Sequence, residues 1–217
     1  MVNSGSYRWN PYKGNTEGRK FVVETHFARR ARETQPNSLQ KELIIGSLIG
    51  DAYLMPTTSG FCFRVNHGLQ QREYVDWKYE LLADFVRTPP RKSGNCYYFR
   101  TITHQVFSDY RNHFYQNNRK VIPIGLLYEQ FSAFSLAVWL MDDGGFDGKQ
   151  LRLNSQSFSQ EENEVLSQFL RAKFGIETSL NRDKDRFRLR ISYVSENRLI
   201  HLVEPYVIPS MLYKLPL

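Results

Sequence analysis

Two strongly apolar stretches, each running into an acidic turn, constrain this chain more than any other feature. LQKELIIGSLIGDAYL (Leu39 to Leu54) follows Ser38, a suitable helix N-cap with Glu42 close behind, and FSAFSLAVWLMDDGG (Phe131 to Gly145) ends in Asp142 and Asp143. The same order of patterns follows each of them. After the first comes GFCFRVNHG, where Phe61, Phe63 and Val65 alternate with Cys62, Arg64 and Asn66 as in a strand with one buried face. An amphipathic helix (Gln71 to Val86) stops at Thr88, Pro89 and Pro90; a strand pair runs through NCYYFRT, and a helix from about His104 to Asn117 meets the loop NRKVIPIG. After the second come the strand LRLNSQS (Leu151 to Ser157), a helix from Gln160 to Phe174, a strand around Ile176 to Leu180, the strand DRFRLRISY (Asp185 to Tyr193) and a helix near Ser195 to Val203.

Spacing supports a duplication. About 70 residues separate Asp51 from Val121 and about 64 separate Asp143 from Val207, with Val-Ile-Pro at the end of both intervals. The predicted fold is therefore α+β, two tandem αββαββα repeats over 38–124 and 125–217, behind a basic extension over 1–37 with a short helix near Phe27. Either repeat alone would leave an apolar helix uncovered, so the two are expected to pack against each other. Gly46 and Gly50 lie on one helical face, where missing side chains let helix backbones approach closely, whereas Val138 and Asp142 hold the matching places in the second helix. That approach would bring Asp51 and Asp143 together at two helix C-termini, where carbonyls and the macrodipoles add to the carboxylate charge and favour a hard cation. Asp142 competes with Asp143 as a ligand; register favours Asp143, with Asp142 hydrogen-bonding at the helix interface.

The 217 residues are 41% hydrophobic and 14% aromatic, enough for one large core or two small ones. Twenty-nine Lys and Arg against 22 Asp and Glu give +7, and the pI near 9.4 points to a polyanionic partner. Cys62 and Cys96 form no C-x-x-C pair and read as small core or surface residues in a reducing compartment. No stretch approaches the roughly 20 apolar residues of a membrane span, and the first ten residues lack a secretion signal, so a soluble protein inside a cell or organelle is expected. The five histidines form no H-N-H pattern, and those at strand or helix borders read as surface residues. Calcium-loop, P-loop and dinucleotide glycine patterns are absent.

IIGSLIGDA (Ile44 to Ala52) and LAVWLMDDG (Leu136 to Gly144) resemble the paired motifs of the LAGLIDADG homing endonucleases, in particular the monomeric two-motif class encoded in organellar introns. The resemblance runs from about Ser38 onward through TPPRK, NNRKVIP, LNSQSF and PYVIPSMLYKLP. It implies a pseudo-twofold LAGLIDADG fold with a β-sheet saddle, Mg²⁺ as cofactor with Mn²⁺ or Ca²⁺ able to substitute in binding, double-strand cleavage with short 3′ overhangs, and synthesis in a mitochondrion or plastid. In its light Asp51 and Asp143 are metal ligands and catalytic acids, with Gly50 and Asp142 beside them. Lys120 and Lys214 match the family's active-site lysines and would polarise the attacking water or stabilise phosphate charge; the alternative is solvated lysines on the surface.

The saddle would read DNA through polar strand faces. Arg186, Arg188 and Arg190 oppose Phe187, Leu189, Ile191 and Tyr193, and Arg152, Asn154 and Gln156 alternate with Leu151 and Leu153. Arg64, Asn66, Tyr98 and Arg100 are the first-repeat counterparts, joined by Arg91 and Lys92 in TPPRK and by Arg182 and Lys184 before the last strand. Solvated polar faces are the plain alternative for any one strand. Lys13, Arg19, Lys20 and the cluster Arg29, Arg30 and Arg32 either add backbone contacts or form a disordered tail. Two other functions compete: an intron-RNA maturase on the same fold, and a DNA-binding module without catalysis. Retention of both acids favours cutting.

Overall fold

The chain folds around two helices packed back to back beneath two four-stranded sheets, and the computed structural model describes residues 26–216. Lys13, Arg19 and Lys20 lie outside the described residues. In chain order, α1 (His26–Glu33), α2 (Ser38–Ile49), β1 (Tyr53–Thr57), β2 (Gly60–Gly68), α3 (Arg72–Leu81), β3 (Arg91–Ser93), β4 (Cys96–Arg100) and α4 (Gln105–Phe114) come first. A hairpin of β5 (Tyr115–Gln116) and β6 (Arg119–Lys120) and helix α5 (Ile124–Gln130) lead onward. Then follow α6 (Ala133–Asp143), β7 (Gly144–Phe146), β8 (Leu151–Leu153), α7 (Gln160–Phe174), β9 (Thr178–Asp183), β10 (Arg186–Ile191) and α8 (Tyr193–Val203). The sheets have orders β1-β2-β4-β3 and β7-β8-β10-β9, antiparallel throughout, so the αββαββα unit occurs twice with one topology.

Local chemistry adjusts the expected boundaries. Asn37, not Ser38, is the N-cap of α2, in a capping box with Gln40, because its carboxamide accepts the Gln40 N–H. The helix ends at Ile49 rather than Leu54: Gly50 leaves helical geometry and releases Tyr53 into β1. Strand β8 is only Leu151–Leu153, since Ser155 turns inward to bond the buried Asn163. Tyr193, expected to share the inner face of β10, instead opens α8 and is 85% exposed. Asn117 and Asn118, with φ of 48° and 62°, form the two-residue turn of the β5–β6 hairpin in a segment the sequence suggests is helix end and loop. Asparagine tolerates that left-handed geometry, which suits a tight hairpin.

Both central helices are apolar nearly all round because each packs against its partner and lies within one continuous hydrophobic core. A methyl group at Gly46 would lie 2.5 Å from the Ser135 carbonyl oxygen, and one at Gly50 would lie 2.6 Å from the Asp142 Cβ. Contact at the top is polar: Ser135 Oγ donates to the Glu42 carbonyl at 2.9 Å and Ser132 Oγ to the Glu42 carboxylate at 2.5 Å. Replacing Gly46 with Val must push α6 away. Even against the helix propensity it adds, the substitution is expected to lower stability by roughly 2 kcal/mol or more, the upper range for core overpacking, measured as a shift in urea midpoint at constant slope.

Candidate active site

Where α2 and α6 end, the chain brings four expected side chains to one place. Asp51 directly follows the C-cap Gly50, and Asp143 is the last residue of α6. Lys120 arrives on the β5–β6 hairpin and donates to the carbonyls of Gly50 at 2.9 Å and Ala52 at 3.0 Å. Lys214, at the end of a 3₁₀ turn (Pro209–Lys214), donates to the carbonyl of Asp142 at 3.0 Å. The lysines stand differently relative to their Val-Ile-Pro segments, yet each grips the carbonyl one residue before an acid. Two helix-terminal carbonyls thus already face cations, as the macrodipoles favour.

Crowding dominates the electrostatics. Burial raises the Asp143 carboxyl to about 8, with the charges of Asp51 and Asp142 adding to the rise. Asp51 is raised to about 6, first by the surrounding protein and then by Asp142; its side chain keeps 46% of its surface open, so solvent screening moderates that effect. Burial lowers Lys120 to about 8 against the pull of the three acids, and lowers Lys214 as well.

Three residues that sequence reasoning passed over complete the site. Lys78 of α3 is fully buried, and its ammonium meets the Asp142 carboxylate at 2.7 Å. His67 is 6% exposed, with Nε2 3.5 Å from Asp142 and Nδ1 3.7 Å from Asp51, and burial, ahead of the pull of Asp142, lowers it to about 4. Tyr74 lies beneath the Lys78 ammonium, 4.4 Å from ring centre to nitrogen, and donates to the Val138 carbonyl at 3.2 Å. The signals were positional: His67 continues the inward alternation of Phe63 and Val65, and Lys78 follows Tyr74 on the buried stripe of α3. The border histidines His67 and His104 are therefore buried, not surface residues; His104 caps α4 through Nδ1 and bonds the Arg32 carbonyl through Nε2. Both cysteines are free.

The donors suit a hard divalent ion: the Asp51 and Asp143 carboxylates and the Gly50 and Asp142 carbonyls are all oxygens, and the carbonyls already accept from ammonium groups. The Asp142 carboxylate is held by Lys78, which leaves its backbone oxygen as its contribution there. Asp51, His67 and Asp142 also cluster within 4.8 Å, but a cation on that carboxylate would compete with the ammonium already seated on it.

On the sheets, cross-strand register sorts the expected DNA contacts. Arg64 pairs with Arg100, and Asn66 and Arg91 flank Tyr98, so these five share one face of the first sheet. Arg64 and Arg91 stack on Tyr98 at 4.6 and 5.3 Å. Arg152, Arg186, Arg188 and Arg190 share the equivalent face of the second. There ion pairs replace stacking: Arg152 meets Asp147, Arg188 meets Asp183, Asn154 accepts from Arg188 and Gln156 donates to Asp183. Lys92 pairs with Tyr97 and Arg182 with Phe187, which puts both on the opposite faces from the one expected, and Lys184 sits at the β9–β10 turn with φ of 58°. At the outer end of the first sheet, a cavity of about 770 Å³ is walled by Arg32, Arg87, Arg91 and Arg100 with no carboxylate among its lining residues.

The likeness to known proteins agrees with this geometry. The model of the LAGLIDADG DNA endonuclease family matches residues 41–199, and the chain belongs to that family. It is 30% identical over 198 residues to the "Probable intron-encoded endonuclease 1" of Wickerhamomyces canadensis, covering 84% of this chain and 86% of the relative. It is also 30% identical over 191 residues to the "Cytochrome b mRNA maturase bI2" of Debaryomyces hansenii, covering 80% of this chain and 72% of the relative. Among solved structures, the homing endonuclease I-WcaI bound to its DNA recognition sequence superposes with a TM-score of 0.80 at 26% identity, covering 90% of this chain and 95% of that one.

The charges predict a pH signature for the protein without metal. Asp51 is raised to about 6 and His67 lowered to about 4, and between pH 4 and 6.5 their effects on stability oppose each other. From about pH 6.5 to 8 Asp143 remains protonated in the fold while its unfolded counterpart is ionised, so stability falls as pH rises. Melting temperature with EDTA is expected to decline from about pH 6.5 to 7.5, below the point where Lys120, lowered to about 8, opposes it by losing its proton in the fold, and not to decline in Asp143→Asn.

Proposed function

We propose that this chain is a site-specific homing endonuclease that cuts both strands of a long double-stranded DNA target, as a monomer, by Mg²⁺-dependent phosphodiester hydrolysis leaving short 3′ overhangs. The convergence of Asp51 and Asp143, one from each αββαββα unit, beside two carbonyls that already face cations carries this reading. Residues 38–124 and 125–217 then act as half-site units, each placing one acid near one scissile phosphate.

Mg²⁺, or Mn²⁺ in its place, would lower the pKa of the attacking water and neutralise the leaving 3′-oxygen. The chain's own groups do the rest. Asp51 and Asp143 supply anionic oxygens, and Gly50 and Asp142 supply carbonyls. Lys120 and Lys214 sit where an ammonium can swing from the carbonyl to a phosphate oxygen and stabilise the charge that builds there. The arginine faces of both sheets hold the duplex, the first through stacked guanidiniums and the second through arginines oriented by Asp147 and Asp183.

The similarity to the D. hansenii maturase supports a second reading for the same basic surface, binding of intron RNA alongside cutting. Residence in a mitochondrion or plastid fits an intron-borne protein, and no helix among the described residues is long and apolar enough to cross a membrane.

The test is cleavage of a randomised duplex library with Mg²⁺, followed by sequencing of the cut ends. Asp51→Asn and Asp143→Asn are each expected to slow cutting roughly 100-fold or more while target binding in Ca²⁺ stays near wild type. Full cleavage by the double variant would refute the assignment.

A further inference from the structure

The two halves are alike in topology but unlike in how their acids are held. At the point of closest helix approach Gly50 offers no side chain, and Asp142 fills the space, its Oδ2 2.6 Å from where a Gly50 Cβ would stand. That Oδ2 accepts the backbone N–H of Asp51 at 3.4 Å, while Oδ1 is bound by the buried Lys78 ammonium at 2.7 Å. One carboxylate therefore ties α3 of the first unit, α6 of the second and the peptide that carries Asp51. Asp143 receives no reciprocal tie among the described residues, because the α2 residue opposite Asp142 is Gly50, which has no side chain to offer.

The second unit carries a neutral arrangement where the first carries charge. Arg64 pairs with Arg100 as Arg152 pairs with Arg190, which places His67 and Ser155 in corresponding positions. Ser155 donates to Asn163 and accepts the Leu189 N–H, and Asn163 donates to the carbonyls of Ser155, Phe158 and Ser159, a neutral set in which neither acid takes part. His67, by contrast, lies against both Asp51 and Asp142, and its Nε2 has no hydrogen-bond partner among the described residues. A buried ion pair costs desolvation and is weak evidence for stability. A hydrophobic pair would fill the space as well, so its retention asks for another role.

We infer that Asp142, seated by Lys78, is a positioning residue for one of the two cleavage centres: its side-chain oxygen is the acceptor that orients the Asp51 peptide, and the Asp143 centre works without it. Lys78 and Asp142 act through Asp51 and touch no reacting atom in this role. The consequence is that the two strands of the target depend unequally on this acceptor, although each centre uses the same kind of acid.

This inference rests on the nuclease reading, and its test separates the two. A duplex with the sequence selected by the wild-type protein carries a different fluorophore on each strand, and the two nicking rates are followed with Mg²⁺. Lys78→Leu combined with Asp142→Asn removes both charges but keeps an acceptor for the Asp51 N–H; Lys78→Leu combined with Asp142→Ala removes the acceptor as well. The alanine pair is expected to slow the strand most affected by Asp51→Asn by on the order of tenfold relative to the other, the scale of effect for a small misplacement, so nicked duplex accumulates. The asparagine pair is expected to keep the wild-type ratio. Should the alanine pair fail to fold, Lys78→Met combined with Asp142→Ala, which keeps the unbranched shape of the buried stem, takes its place with the same expectation. An unchanged strand ratio in the acceptor-free variant, or the same change in both variants, overturns the positioning role while leaving the nuclease reading intact. Wild-type protein that cuts neither strand overturns the nuclease reading and this inference with it.

Discussion

The contact between α2 and α6 sets every other distance that matters. Gly46 and Gly50 let the backbones come so close that even a methyl group would collide with Ser135 or Asp142. Such proximity brings two helix C-termini together, which concentrates carbonyl dipoles and carboxylates that repel one another unless cations intervene. Lys120, Lys214 and Lys78 answer part of that repulsion from within the chain, while burial first and the neighbouring acids second raise the Asp51 and Asp143 carboxyls. Fold and chemistry are thus joined at one interface: the packing that stabilises the core also gathers the oxygen donors of the candidate site.

Departure from perfect twofold symmetry is physical rather than incidental. Placing glycine at one helix end and aspartate at the other relieves a steric conflict, since two side chains could not share the space. The aspartate then brings a buried charge, and Lys78 compensates it. The same division extends to the sheets. Stacked guanidiniums on Tyr98 prepare the first face, and carboxylate-bound arginines prepare the second. Rigid, oriented arginines lose less freedom on binding than free ones do.

Much of this was legible in the residues. The duplicated order of patterns specifies the αββαββα units, and the spacing of Gly46 and Gly50 specifies the helix contact. Asp51, Asp143, Lys120 and Lys214 converge as the motifs suggest. What escaped was decided by neighbours distant in the chain. The charge on Lys78 concealed its place on a buried stripe, because its partner Asp142 comes from the other unit. Lys92 and Arg182 were misplaced for a different reason: strand register flips a side chain to the opposite face with each residue, and loop geometry sets that register. The Asn117–Asn118 hairpin was hidden between helix and loop, although paired asparagines are a turn signal in their own right.

The most direct measurement is anomalous scattering from Mn²⁺ in crystals of the protein with its DNA target. Density is expected between the Asp51 and Asp143 carboxylates and the Gly50 and Asp142 carbonyls, with the Lys120 and Lys214 ammonium groups moved off those carbonyls toward phosphate. Density confined to the Asp51–His67–Asp142 cluster, with Lys78 expelled from Asp142, would contradict it.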